Sequence, residues 1–264
     1  MPELPEVETI IRDLKKFLPG LKIRDIWTDI IKFKKIKKQV ADEKILKIER
    51  RGKNILIELT HNKTLLIHLK LTGHLLYGIP KNRFVHLIFF LSNGKQLALS
   101  DLRKFAKVVV LPTEKISEEF KKLGPDPFDK DFNFRKFAEI LPKRGKIKTV
   151  LMNQEIISGI GNIYSDEILW LAGVHPLKPV QKLKEGEIKK IYQAIKPVLK
   201  KAINARGSSY IDYRDALGRK GKYQNMQYAY GMEGEKCKKR DGGIIKRIKI
   251  GGRSAHFCPL HQKL

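Results

Sequence analysis

The hydrophobic pattern of this chain changes period once, and the change falls at a turn-rich stretch, Gly124-Pro125-Asp126-Pro127. Before it, between residue 21 and about residue 111, run short alternating or β-branched segments such as KILKIE, NILIEL, TLLIHLKL, HLIFFL and QLALS. Arg51-Gly52, Thr72-Gly73 and Asn93-Gly94 punctuate them as turns. Period-two alternation puts one face of each segment in a core, which is the signature of a β-sandwich or barrel. After the stretch the apolar residues recur at helical spacing over residues 134–141, 162–172 and 185–204. The chain then closes with two strand-like runs, 244–250 and 254–257, joined by Gly251-Gly252-Arg253. An α+β fold follows, and 264 residues with 42% hydrophobic content suffice for one large domain or two modest ones.

Charge narrows the partner. Lysine and arginine number 55 against 28 acidic residues, a net charge of +27. Such an excess fits a polyanion, either nucleic acid or an anionic membrane, although a generally basic proteome or a hot-growing source also produces it. The first residues, MPELPEVETI, lack a charged segment followed by an apolar stretch, and the longest apolar run, 87–91, is too short to span a bilayer. The expectation is a soluble intracellular protein. Two cysteines, Cys237 and Cys258, allow at most one bridge or part of a metal site.

The N-terminus carries the chemistry. Leu4 precedes a proline and is biased away from the helical region, so a helix is expected from Pro5 to about Phe17, with residues 2–4 extended before it. Val7, Ile10, Ile11, Leu14 and Leu18 form its apolar stripe. Proline at position 2 is small enough for removal of Met1, which exposes a secondary amine. Terminal amines titrate near 8 and lysines near 10.4, so at neutral pH far more of the terminal amine is free to attack. A helix N-terminus beside it lowers its pKa further. A secondary amine attacking a sugar C1′ yields a charged iminium, which can drive loss of the 3′ phosphate. Glu3 is placed to protonate the opening sugar ring, and Glu6 to contact a flipped base or orient the site. Acidic residues also favour helix starts for their own sake, and that reading covers Glu6 and Glu8 equally.

The run Pro2-Glu3-Leu4-Pro5-Glu6-Val7-Glu8-Thr9 resembles the N-terminal signature of the formamidopyrimidine-DNA glycosylase and endonuclease VIII family. The resemblance continues through His68-Leu69-Lys70-Leu71-Thr72-Gly73, Asp101-Leu102-Arg103-Lys104-Phe105, Ile160-Gly161-Asn162-Ile163-Tyr164, and Tyr230-Gly231 to Gly252-Arg253, and so spans nearly the whole chain. It implies an N-terminal helix plus β-sandwich domain over 1–124, a helix-two-turn-helix domain over 130–225 and a zinc-finger-like β-hairpin over 226–264. It implies a monomer acting on double-stranded DNA with oxidised bases or abasic sites, in the cytoplasm on the nucleoid and without a membrane partner. Pro2 resembles the Schiff-base nucleophile and Glu3 its acid. Lys53 matches a lysine that contacts phosphate and assists elimination, and Arg253 completes this expected catalytic set. Glu6 is the lesion contact. Leu71, Arg103 and Phe105 match the residues that fill the gap left by an everted nucleotide; ordinary strand packing explains Leu71 and Phe105 as well. Arg103 also counts among the DNA contacts with His68, Arg144, Lys148 and Asn162, and Arg253 too matches a phosphate-gripping position. A capping role alone accounts for an asparagine at 162.

The chain departs from the family pattern in two places. Relatives hold zinc with two Cys-x2-Cys pairs, whereas here the pairs read Cys237-Lys238-Lys239-Arg240 and Cys258-Pro259-Leu260-His261. Cys237, Asp241, Cys258 and His261 are the ligand set that remains, but aspartate is unusual in a structural site. A metal-free hairpin is therefore favoured over retained zinc, and a Cys237–Cys258 disulfide is a third state; no cofactor is required for the chemistry. Phe84 stands where relatives often carry a DNA-contacting histidine. Residues 213–224, YRDALGRKGKYQ, resemble the loop that covers 8-oxoguanine in the purine-directed branch, which favours oxidised purines over the oxidised pyrimidines of the endonuclease VIII branch. The competing classes are a DNA-binding relative without catalysis, which should lack the nucleophile or acid, and an RNA-binding protein, which should interleave aromatics and charge on a sheet.

Overall fold

The computed structural model describes residues 1–79 and 82–264. Helix α1, Leu4–Leu14, opens the chain and lays Val7, Ile10, Ile11 and Leu14 into a core as the apolar stripe requires. It starts one residue earlier than the proline suggests. Leu4 is helical although it precedes Pro5, because Glu3 and Glu6 close a reciprocal capping box around the first turn and Leu4 itself is fully buried. Regular helix ends at Leu14, and turns then carry Leu18 into the same core.

Strand β1, Ile23–Thr28, follows, then helix α2, Lys34–Val40. The region patterned for strands therefore contains a helix, with Ile36 and Val40 buried four residues apart and lysines facing solvent. Seven further strands complete the sheets: β2, Ile45–Arg51; β3, Asn54–Leu59; β4, Lys63–His68; β5, Gly73–Gly78; β6, Val85–Leu91; β7, Gln96–Asp101; and β8, Lys107–Pro112. They form two antiparallel four-stranded sheets ordered β1-β6-β7-β5 and β2-β3-β4-β8. Alternation works as expected: Ile55, Ile57 and Leu59 of β3 and Leu87, Phe89 and Leu91 of β6 point inward into one apolar cluster. Helix α1 packs on β2 and β3.

A short helix α3, Ile116–Glu119, precedes the helical part of the chain: α4, Phe134–Ile140; α5, Ile147–Met152; α6, Asn162–Ala172; and α7, Glu185–Asn204. Asn133 caps α4 by accepting the Lys136 N–H at 2.9 Å. Strands β9, Lys246–Ile250, and β10, Arg253–Phe257, close a hairpin through Gly251 and Gly252, both at positive φ. Helix α6 is apolar or buried on almost every face because its two carboxylates, Asp166 and Glu167, are enclosed and paired. Asp166 accepts the His256 N–H of β10 at 2.9 Å, and Glu167 accepts the backbone N–H groups of Tyr228, Ala229 and Tyr230.

The chain forms two compact units rather than consecutive segments only. One comprises Met1–Lys122 and Ile203–Gln224, and the other Leu123–Ala202 and Asn225–Leu264. In the first unit Tyr213 and Ala216 join the sandwich core. No helix among the described residues is long and apolar enough to cross a membrane.

Phe89 is fully enclosed in the sandwich. Phe89→Ala should lower stability by about 3–5 kcal/mol through lost transfer energy and a residual cavity. Urea unfolding checks this: the midpoint should fall while the slope stays unchanged.

Candidate active site and nucleic-acid interface

The start of α1 is built by its own sequence. Pro2 is buried, and Glu3 and Glu6 are 2% and 1% exposed. The Glu3 N–H donates to Glu6 Oε2 at 2.8 Å, and the Glu3 side chain accepts from the Glu6 backbone. Glu6 Oε1 accepts the Ser208 N–H at 2.8 Å, and its main-chain carbonyl accepts the Tyr213 hydroxyl at 3.2 Å. Both Glu6 oxygens thus engage main-chain N–H groups, one on each side of the site. Glu8 lies one turn beyond Pro5, between Arg12 and Arg50, whose Nε atoms each stand 2.9 Å from it. Burial works to raise the Glu8 pKa, but the hydrogen bonds and charges of the two arginines hold it below its ordinary value.

Arg50 also donates to the Gly52 carbonyl at 3.0 Å, so one guanidinium ties the β2–β3 turn to α1. That turn carries Lys53, which is only 5% exposed and so is no ordinary solvated turn lysine. Gly52 has φ +56°, a conformation that glycine adopts without penalty.

The three residues expected to fill a gap in stacked bases lie on two neighbouring loops. Leu71 is 39% and Phe105 52% exposed, so neither is spent on strand packing. The Arg103 guanidinium sits 4.5 Å from the centre of the Phe105 ring. Buried Asp101 joins the two loops: it accepts from the Thr72 hydroxyl at 2.5 Å and the Ala106 N–H at 2.8 Å, while the Arg103 N–H reaches Thr72 Oγ1 at 3.1 Å. His68 ends β4, and its Nδ1 accepts the Lys70 N–H at 2.9 Å. Burial, followed by the charges of Lys70, Lys53 and Lys107, lowers the His68 pKa to about 4, leaving a neutral ring at pH 7. Phe84 is half-buried and lines a cavity with Thr72, His74, Asn82, Asp212 and Arg214.

In the second unit Arg144 and Arg253 are exposed, Arg253 at the first position of β10 beside the Gly251-Gly252 turn. Asn162 is the first residue of α6, whose N-cap is Gly161, so asparagine is not the cap that sequence alone equally allowed. Its Oδ1 is buried and has no hydrogen-bond partner among the described residues. Lys148 departs from expectation. It is fully buried, with Nζ 2.5 Å from Asp166 Oδ1 and 3.3 Å from the Asn162 carbonyl. An ammonium enclosed in that way holds α5 to the start of α6 and is not presented to a phosphate; the carboxylate at 166 neutralises it.

The C-terminal hairpin gathers Cys237, Asp241, Cys258 and His261, whose ligand atoms all lie within 4.8 Å of one another. Cys237 Sγ stands 3.6 Å from His261 Nδ1, and Cys258 Sγ stands 3.6 and 3.7 Å from the Asp241 oxygens. A tetrahedron about a zinc-sized ion, with bonds of about 2.3 Å to sulfur and about 2.0–2.1 Å to nitrogen or oxygen, has edges of about 3.5–3.6 Å between unlike ligands. The sulfur spacings match such edges, whereas His261 Nδ1 stands 2.7 Å from Asp241 Oδ2, a hydrogen-bond distance, so the cluster is a group that could hold a metal ion once those two ligands part. His261 Nε2 faces the Trp170 carbonyl at 3.2 Å, which leaves Nδ1 for the cluster. Gly243 keeps the space open, because a Cβ there would fall 2.3 Å from Cys258 Sγ. Both thiols are free, so the disulfide alternative is not the state of this hairpin.

Sequence reading assigned no role to Asp101 and Asp215, although both lie in its motifs, and passed over Asp166, Glu167 and Arg206; all five organise loops around these residues. Their partners are distant in sequence or on loops without periodicity. A lone Asp at a turn carries no signal that it will be buried.

Residues 1–108 match the family described as formamidopyrimidine-DNA glycosylase N-terminal domain, and residues 123–213 match the formamidopyrimidine-DNA glycosylase H2TH domain. A formamidopyrimidine-DNA glycosylase of Pelotomaculum thermopropionicum is 40% identical, with 100% of both chains covered. The Lactococcus lactis Fpg in complex with DNA containing an abasic site superposes with a TM-score of 0.93 at 39% identity, covering 99% of this chain and 100% of that one. A variant of the same enzyme bound to Fapy-dG DNA gives 0.93 and 39%, with 100% of both chains covered. With both domains matched, near-complete coverage and two antiparallel sheets followed by helices and a hairpin, the chain belongs to the formamidopyrimidine-DNA glycosylase family.

Proposed function

We propose that this protein is a base-excision-repair DNA glycosylase with abasic-site lyase activity, directed at oxidised purines such as 8-oxoguanine and formamidopyrimidines. The observation that carries the reading is the buried start of α1, where Pro2, Glu3 and the capping box stand together in a chain of net charge +27. A peptide-bonded proline nitrogen is an amide and does not attack, so the active chain begins at Pro2. Its amine forms a bond to C1′ of the damaged nucleotide while the glycosidic bond breaks and the base leaves with that electron pair and a proton. Glu3 protonates the ring oxygen as C1′–O4′ opens, giving an iminium. Removal of a C2′ proton then expels the 3′ phosphate, and a second elimination expels the 5′ phosphate. Lys53 and Arg253 hold phosphate during these steps, and Glu6 orients the lesion. Leu71, Arg103 and Phe105 occupy the vacated stack, while His68, Arg144 and Asn162 grip the backbone.

The three sequence segments divide this work: 1–124 carries the chemistry, 130–225 the DNA grip, and 226–264 the hairpin contact. The protein acts as a monomer in the cytoplasm, on the nucleoid. The chemistry needs no metal, and the cluster at Cys237, Asp241, Cys258 and His261 has a structural role. It is suited to zinc, which when bound would brace the hairpin. Replacing two thiolates with Asp241 and His261 makes a harder and weaker site than four cysteines.

Borohydride trapping on a duplex containing 8-oxoguanine, with intact mass read on the same sample, tests the reaction. A covalent adduct on protein lacking Met1 is expected; Pro2→Gly should slow it, and blocking the terminal amine should abolish it. Preference for thymine glycol over 8-oxoguanine would reassign the lesion class, and no adduct even on an abasic duplex would leave a binder without catalysis. For the metal, Co(II) added to protein purified with chelator should give the visible absorption of a tetrahedral thiolate site, lost in Cys258→Ser. For His68, NMR of the free protein should show a titration midpoint near about 4. A phosphate favours the charged ring, so DNA should move that midpoint upward, and binding should take up protons in the pH window between the two values; an unmoved midpoint removes His68 from the interface.

A further inference from the structure

The segment 207–224 leaves the end of α7 and returns to it. Its neck is closed by Lys222 N–H to the Ala205 carbonyl at 2.8 Å and Tyr223 N–H to the Gly207 carbonyl at 3.0 Å. Glycine is required at both sides of the neck, since a Cβ at Gly221 would fall 2.1 Å from the Gly207 oxygen and one at Gly207 2.8 Å from Glu6 Oε1. Within the loop, Asp215 is fully buried and makes a tight turn by accepting the N–H groups of Leu217 and Arg219, each at 2.9 Å.

Two acidic residues of α1 face this loop. Glu6 takes the Ser208 N–H and the Tyr213 hydroxyl, as described above. Asp13, seven residues and so two turns further on the same face, is 3% exposed. Arg206, at the neck, bridges Asp13 to Asp215: its guanidinium donates to both carboxylates, with Nε 2.9 Å from Asp215 Oδ2. Arg219 closes the group from the loop side, 2.9 Å from Asp215 and 3.7 Å from Asp13. Arg206 holds φ +62°, a strained conformation for a residue with a side chain, and the two buried carboxylates keep it there.

We propose that Arg206 is a positioning residue that clamps the 207–224 loop onto α1 and thereby sets excision of a base without governing the lyase step on a sugar that has none. The proposal rests on the base-excision reading above. Its logic is that the clamp and the Glu6 contacts attach the loop to α1 at two points, while Glu3, next to Pro2, is held by a capping box whose hydrogen bonds involve neither Arg206 nor Asp13. Loosening the clamp releases the Asp215 and Arg219 turn, while the packing of Tyr213 and Ala216 in the core and the Tyr77 N–H bond to the Ala216 carbonyl at 2.7 Å remain, and the capping box stays in place. A base must be held in the reacting geometry to be expelled, and small misplacements cost rate steeply. An abasic sugar offers no base to the loop.

The test compares wild type, Arg206→Gln and Arg206→Lys in single-turnover excision of 8-oxoguanine and in cleavage of an abasic duplex. Because Arg206→Gln leaves two buried carboxylates facing each other, the double variant Asp13→Asn, Arg206→Gln is included to relieve that repulsion. The expected result is an excision rate about tenfold or more lower in Arg206→Gln and in the double variant, partial recovery in Arg206→Lys, and abasic cleavage within about twofold of wild type throughout. Equal losses on both substrates, or no loss on either, overturn the proposal. Hydrogen exchange on the same proteins judges the clamp without reference to activity. Faster exchange confined to 207–224 in Arg206→Gln supports it, and unchanged exchange there overturns it. Wild-type protein that cleaves abasic DNA but not 8-oxoguanine DNA overturns the oxidised-purine reading instead, and the clamp then stands or falls on exchange alone.

Discussion

The reciprocal hydrogen bonds at the start of α1 are what the rest of the first unit is arranged around. Glu3 and Glu6 each satisfy a backbone N–H that a helix start would otherwise leave exposed, and in doing so they set where the chain enters the helix. That entry decides the place of residue 2, because one residue separates it from the first helical turn. The apolar stripe of α1 then seats the helix on the sandwich, and the Glu8–Arg50 pair brings the Lys53 turn to the same end. Pro2, Glu3 and Lys53 are thus located by a cap, a packed helix face and one ion pair.

The buried charges of this protein share a pattern. Asp101, Asp166, Glu167 and Asp215 are each enclosed, and each accepts two or more hydrogen bonds from loop backbone or from a cation. Enclosing an unpaired carboxylate is expensive, so the burial of each depends on its loop being in place. These hydrogen bonds fix loops that regular secondary structure does not. The loops so held are those that carry Leu71, Arg103 and Phe105, the hairpin with Arg253, and the segment 207–224.

The C-terminal cluster brings together through space four side chains that could hold a metal ion. Arg240 stands where a Cys-x2-Cys pair would place its second thiolate, and no neighbouring cysteine compensates. Asp241 and His261 instead converge with Cys237 and Cys258 because the turn at Gly242 and Gly243 and the hydrogen bond from His261 to Trp170 direct them there.

Much of the architecture was legible in the sequence because it is periodic. Alternation marked the strands, 3.6-residue spacing marked α6 and α7, and the proline-rich stretch separated the two patterns; a contiguous motif at residues 2–9 carried the family resemblance, so spacing along the chain was enough. Helix α2 escaped because seven residues with two buried positions carry too little periodic signal. Exposure, and the pairing of charges, lay beyond sequence. Lys148 reads as one more basic residue until α6 encloses it beside Asp166, and Leu71 and Phe105 read equally as core until the loops turn them outward. The same holds for Arg206, whose two carboxylates come from residues 13 and 215. What the sequence by itself determined was local, since propensity, periodicity and capping act over a few residues. Which charges are buried, which apolar side chains stay exposed and which loops are tied to α1 were decided by tertiary structure, because desolvation depends on what distant segments bring alongside.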